Sequence, residues 1–165
     1  MTAYLAPVSY YSQLARHVTP HCEARFLSRC RILSPEGPLT LSIPLQHTHH
    51  GADIQDIRIS EHARWRHRHW NALRSAYGRS PYFQFYEDDL APLFEKRWDF
   101  LADLNETLQN LVCSLLGISP DCQGHTEVEA IACKPYTQVF STVFLPDLSI
   151  VDLLCNMGPE SVLYL

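Results

Sequence analysis

The chain has 165 residues, with 46% hydrophobic, 11% aromatic and 19% charged side chains. That composition belongs to one folded domain's worth of protein and excludes a disordered tail, a collagen or a coiled coil. Thirteen Lys and Arg against 18 Asp and Glu give a formal charge of -5, which argues against a nucleic-acid binder working by phosphate neutralisation over its whole surface. No apolar run is long enough for a bilayer span and no charged-then-apolar leader opens the chain, so the expectation is a cytoplasmic protein without a membrane span, arranged as a single domain over residues 1–165.

In chain order, residues 1–59 form the β-rich part. A helical turn or two is expected through Ser12 to His17. RFLSRCRIL and PLTLSIPL, separated by SPEG, predict a β-hairpin from about Arg25 to Leu45 that turns at Pro35, Glu36 and Gly37. A polar loop, His47 to Gln55, follows, and then a short strand-like DIRI at Asp56 to Ile59. The helical part, 60–118, starts with a helix from Glu61 to about Tyr77, capped by Ser60 and ended by Gly78. SPYFQFYEDD then leads into a long amphipathic helix at about Ala91 to Leu116, with Pro92 in its first turn, Gly117 beyond its end, and apolar residues recurring at three and four from Trp98 to Leu115. Residues 119–135 read as a loop. A strand at TQVFSTVF and a short helix at Ser149 to Asn156 complete an α+β chain of residues 136–165.

Charge is uneven along this plan. Six arginines lie between Arg58 and Arg79 with only Glu61 for a carboxylate, while the following stretch is acidic from Glu87 to Glu106. Two readings fit: neighbouring helices of opposite sign exchanging surface ion pairs, or an arginine-rich helix bordering a cleft that takes a sugar nucleotide or another anionic small molecule. His69 stands at the polar border of the first long helix and is a candidate base or ligand contact, with a hydrogen-bonded core histidine as the plainer alternative. Arg74 lies between Trp70 and Tyr77 on the adjoining stripe, where it packs or reaches an anion.

Asn105 falls on the apolar stripe of the long helix and must find hydrogen-bond partners, either a neighbouring backbone or a pocket. Asp152 and Asn156 share a face of the terminal helix and look like a site, although Ser149-x-x-Asp152 also fits a capping box. The six cysteines include no C-x-x-C pair and are expected as free thiols, with Cys30 reactive only if a neighbouring charge lowers its pKa. His47, His49 and His50 crowd together without a Cys or acidic residue at ligand spacing, so no metal is expected. No recognised catalytic signature is present.

Four segments, AYLAPVSYY, HWNALRSAYGRSPYFQFYEDDLAPLFEK, DFLADLNETLQNLVCSLLGI and FLPDLSIVDLLCNMGPESVLYL, resemble the WbqC-like family, bacterial proteins often encoded with O-antigen and other surface-polysaccharide genes. The resemblance singles out Tyr4, Pro7, Tyr10, Arg29, Trp70, Tyr77, Ser80, Pro81, Asn105, Asp152, Asn156 and Gly158. Where the family shows an Arg-Asn-Arg run in the first hairpin strand, this chain has Leu27-Ser28-Arg29, and its loop from Gly117 to Tyr136 is shorter. Two functions follow as expectations. One is a transferase of surface-polysaccharide assembly moving an acyl or aminoacyl group to an amino sugar. In it, His69 or Asp152 acts as base, Arg29, His69 and Arg74 hold the anionic substrate, and Tyr4, Tyr77, Asn105 and Asn156 complete the site. The other is a non-catalytic binding or assembly protein whose motif residues serve the scaffold. No cofactor is indicated.

Overall fold

The computed structural model describes residues 2–20, 24–46, 53–120 and 133–165. Among these residues the strands form one hairpin, β1 (Arg29–Ser34) and β2 (Gly37–Ser42), paired antiparallel from Arg29 opposite Ser42 to Ser34 opposite Gly37. Pro35 and Glu36 form a two-residue turn, and Gly37 follows at a φ of 113° that a side chain would strain. Apolar and basic residues alternate along β1, so Cys30 and Ile32 enter the core while Arg29 and Arg31 face out. Ahead of β1, residues Ala24–Leu27 form a 3-10 turn where the sequence predicts strand.

The first helix, α1, spans Val8–Ala15, earlier than the predicted turns. Its entry is fixed from the far end of the chain. Val8 N–H donates to the Leu148 carbonyl at 3.0 Å and Ile150 N–H to Ala6 at 2.9 Å. Helix α2 runs Trp65–Tyr77 and buries Trp65, His69, Leu73, Ala76 and Tyr77, spaced at three and four on the face turned to the hairpin. It starts later than predicted because Ala63 and Arg64 take left-handed φ values of 62° and 48°, which no helix continues through. Ser60 Oγ accepts from His62 N–H at 3.3 Å, ahead of the 3-10 turn His62–Arg64, and does not cap α2.

The predicted long helix at Ala91 to Leu116 is two helices. α3 covers Phe83–Glu95 and contains Pro92, and α4 covers Leu101–Leu116. SPYFQFYEDD is therefore largely helix. Pro92 sits in the last turn of α3, where its missing N–H forfeits only one bond. Between the helices the chain is drawn straight by long-range bonds: Ile59 N–H donates to Asp99 and Leu101 N–H to Ile57, both at 2.9 Å. Gly117, left-handed at 68°, closes α4.

The strand predicted at TQVFSTVF is absent. Residues 137–144 form a turn with a single bridge between Gln138 and Ser141. The terminal helix α5, Ile150–Met157, is capped by Ser149 as predicted and is buried at every residue through Asn156. It lies against α1, α3 and β1. At roughly 1.5–3 kcal/mol for each fully buried large apolar side chain, α5 is the peg on which the other elements close.

Candidate functional site

Helix α2 carries the basic side chains and separates two grooves. On the α3 side, Trp70 stacks on Phe94 with ring centres 5.5 Å apart and planes 25° from parallel, and Phe83 lies tilted at 6.1 Å. Trp70 and Phe94 floor a groove of about 480 Å³ whose rim holds Glu61, Arg64, Arg66, His67 and Glu95. Arg66 is held at 2.6 Å by Glu61 and at 3.2 Å by the Glu95 carbonyl. Arg64 has no ion-pair partner among the described residues. Its guanidinium hangs from the left-handed step that opens α2, a backbone conformation costing roughly 1–2 kcal/mol per residue and persisting only where surrounding structure imposes it.

On the hairpin side, a groove of about 470 Å³ runs between β2 and α2, and His69 lies in its wall. The Tyr4 hydroxyl meets His69 Nδ1 at 2.8 Å, and the ring also bonds the Ser42 backbone. Trp65 packs edge-on against both rings. Burial pushes the His69 pKa down to about 4; the Ser42 hydrogen bond opposes that shift and Arg68 adds to it. The imidazole is neutral at pH 7. With Nδ1 accepting from Tyr4, the assigned tautomer puts the ring proton on Nε2 for Ser42, so neither nitrogen is left to take a proton from a bound molecule. Burial, then Cys30, raises the Tyr4 pKa well above the usual phenol range, which keeps it a donor.

Asp152 lies elsewhere, on α5, at 1% exposure. Its Oδ2 accepts from the Tyr136 hydroxyl at 2.7 Å and from Gln138 Nε2 at 3.1 Å. The carboxylate faces these partners and makes no bond back to the amide of Ser149, which donates to Arg31 instead. The capping box is thus only half formed, with Ser149 Oγ accepting from Val151. Burial raises the Asp152 pKa above the ordinary carboxylate value, against lowering by Tyr136, Tyr77 and Gln138. The Tyr77 hydroxyl accepts from Leu33 N–H at 3.3 Å, and Asn156 Nδ2 donates to the Asp152 carbonyl at 2.7 Å. Oδ1 of Asp152 and Oδ1 of Asn156 have no hydrogen-bond partner among the described residues. Tyr136 and Gln138 also line a surface groove of about 540 Å³.

The remaining predicted residues disperse. Asn105 Nδ2 donates to the Leu27 carbonyl at 2.8 Å, its Oδ1 unpartnered among the described residues. Arg29 is on the outer face of the hairpin beside Arg31. Arg74 pairs with Glu87 of α3 at 3.1 Å, so at this point the oppositely charged helices do exchange an ion pair. The structure brings Tyr4 to His69, and Tyr77 and Asn156 to Asp152; it does not join those two groups, nor bring Arg29, Arg74 or Asn105 to either. Cys30, Cys113 and Cys155 are buried, and burial raises the Cys30 pKa far out of the reactive range. His47, His49, His50, Cys22 and Cys122 lie outside the described residues. Among those described, no three His, Cys, Asp or Glu side chains gather where a metal ion could sit, and no helix is long and apolar enough to cross a membrane.

Sequence reasoning offered a cleft beside the arginine-rich helix as one of two readings but missed which residues line the α2–α3 groove. The signal was there in Arg64, His67 and Trp70 at steps of three, one helical face, but its floor needs Phe94, which the predicted helix boundaries had assigned elsewhere.

The profile of the WbqC-like protein family matches residues 19–135, and the chain belongs to that family. An uncharacterised protein of Mycobacterium tuberculosis, Rv1507c, is 35% identical over 95 residues, which cover 56% of this chain and 40% of that relative. The chain thus spans well under half the matched relative's length. No solved structure matches it.

Proposed function

We propose that this protein serves bacterial surface-polysaccharide assembly by holding a sugar nucleotide in the groove between α2 and α3, as a binding protein and not a catalyst. The polysaccharide setting is what the family resemblance implies. One observation carries the ligand: the groove offers a separate partner for each part of such a molecule. The Trp70 and Phe94 stack suits a base or the apolar face of a sugar ring. Arg64 suits a diphosphate. Glu61 and Glu95 suit sugar hydroxyls. Binding without turnover is favoured because the His69 nitrogens are engaged by the chain's own groups, and His69 and Asp152 stand apart.

Titration calorimetry with UDP-N-acetylglucosamine, and with the corresponding thymidine, guanosine and cytidine sugar diphosphates, tests the proposal. At least one is expected to bind, and Trp70→Leu is expected to weaken it about tenfold or more, equivalent to about 1.4 kcal/mol. No heat from any of them at millimolar concentration, or equal binding by the variant, would sink it.

A second reading has one observation in its favour. Acyl or aminoacyl transfer to an amino sugar, with Asp152 as base, draws on the unpartnered Oδ1 of that residue. Acyl transfer that is lost in Asp152→Asn while ligand affinity is kept would support it over the binding reading.

A further inference from the structure

The register of the hairpin determines which main-chain groups face away from it. In an antiparallel pair, residues opposite one another alternate between bonding each other and turning their N–H and C=O outward. On β1 the outward residues are Arg31 and Leu33, because the Arg31 carbonyl accepts from Ser149 N–H at 2.7 Å and Leu33 N–H donates to Tyr77 at 3.3 Å. Their partners across the ladder are Thr40 and Pro38, with Ser42 next in phase opposite Arg29. Pro38, which has no N–H, and Ser42, which bonds His69, both fit that phase. Thr40 N–H and C=O, Ser42 N–H and Pro38 C=O therefore point outward, and none has a hydrogen-bond partner among the described residues. One edge of the ribbon is held by the chain at the Arg31 carbonyl and the Leu33 N–H. The other is open.

That open edge borders the groove of about 470 Å³ against α2, room for only a few residues of extended chain. No carboxylate lines it, whereas His62 and Arg68 do. The outer face of the ribbon beside it carries Arg29 and Arg31 without ion-pair partners among the described residues. The inner wall is apolar, with Leu39, Leu41, Trp65 and Ala72.

We propose that β2 takes up an extended acidic segment of a partner protein as a third strand. Its main chain pairs with both groups of Thr40, with Ser42 N–H and with Pro38 C=O, the mode of recognition in which backbone bonds hold and alternate side chains select. The residue opposite Thr40 shares a face with Arg31, so acidic side chains fall at every second position there. The residues between them turn toward Leu39 and Leu41, where small apolar side chains fit. The preferred sequence alternates acidic with small apolar residues. This surface is on the opposite side of α2 from the proposed nucleotide groove, and the inference stands apart from that reading.

Fluorescence polarisation with a labelled peptide of alternating Glu and Val tests it. Saturable binding is expected, with little or none for alternating Lys and Val. N-methylation of the peptide's central amides, which removes donors but no charge, is expected to abolish binding. On the protein, Thr40→Pro removes an outward N–H at the phase Pro38 already occupies, so the β1–β2 ladder survives; it is expected to weaken binding tenfold or more with an unchanged circular dichroism spectrum. Arg31→Gln is expected to weaken it without touching the edge. Binding indifferent to both N-methylation and Thr40→Pro would reduce the site to a charge effect and overturn the proposal. Failure of the acidic peptide to bind would overturn it as well, and so would self-association lost in Thr40→Pro, which would make a second copy of the chain the occupant.

Discussion

His69 and Asp152 are both buried titratable groups held by a tyrosine, and they are solved differently. His69 is used up: one nitrogen meets Tyr4 and the ring's other bond goes to Ser42. Asp152 collects Tyr136 and Gln138 on one oxygen and leaves the other without a partner among the described residues. Satisfying a polar group completely makes it scaffold; leaving one atom open keeps a cost in the fold, of roughly 1–3 kcal/mol. The two also answer pH with opposite sign, which allows the comparison to be broken experimentally.

The largest effect expected is that opposition. The fold keeps His69 neutral down to about 4, whereas the unfolded chain takes up a proton near 6.5, so this region's stability is present above 6.5 and is lost as pH falls toward 4. At 1.36 kcal/mol per unit the loss approaches about 3 kcal/mol. Asp152, with its pKa raised above 3.8, behaves in reverse: its neutral form is favoured in the fold, and stability is lost as pH rises from 3.8 through the raised value. Urea denaturation between pH 4 and 8 is expected to show the acid-side loss flatten in His69→Gln and the loss on raising pH flatten in Asp152→Asn. Unchanged slopes in either variant would contradict the assignment of that group.

Gly158→Ala is intermediate. Gly158 follows the Asp152 and Asn156 helix at φ 56°, and an added Cβ would collide with the Tyr82 ring. Between left-handed strain and displacement of an aromatic, the expected loss is about 2–3 kcal/mol, read as a lowered thermal midpoint with a changed tyrosine near-UV signal. A midpoint equal to wild type would mean that Tyr82 moves freely. Arg74→Ala is the smallest. Its exposed pair with Glu87 is worth less than about 0.5 kcal/mol, and even that should vanish in high salt.

The sequence exposed what depends on neighbours along the chain. SPEG turns the hairpin, Ser149 caps α5, and the three-and-four spacing places α2 and most of α4. It concealed what depends on distant partners. Apolar spacing runs on past the break between α3 and α4, because Asp99 and Leu101 are pulled straight by Ile59 and Ile57 across the fold. TQVFSTVF is rich in the β-branched and aromatic residues that strands favour, yet no strand among the described residues lies beside it, and Gln138 turns inward to Asp152 and Leu145. His69 was visible as a borderline position on its helix; that Tyr4 would be the residue occupying it, 65 residues earlier, was not.

The stitch between Ser149 and Arg31 has a consequence for synthesis. The ribbon, made before α5, waits for that helix, because the same short stretch, 148–150, grips Ala6, Val8 and Arg31 at once. A nascent or truncated chain ending ahead of Ser149 would leave the Arg31 carbonyl bare on the β1 margin as well as the open β2 edge. Such fragments should stick to one another, and the intact molecule should resist doing so largely because α5 arrives.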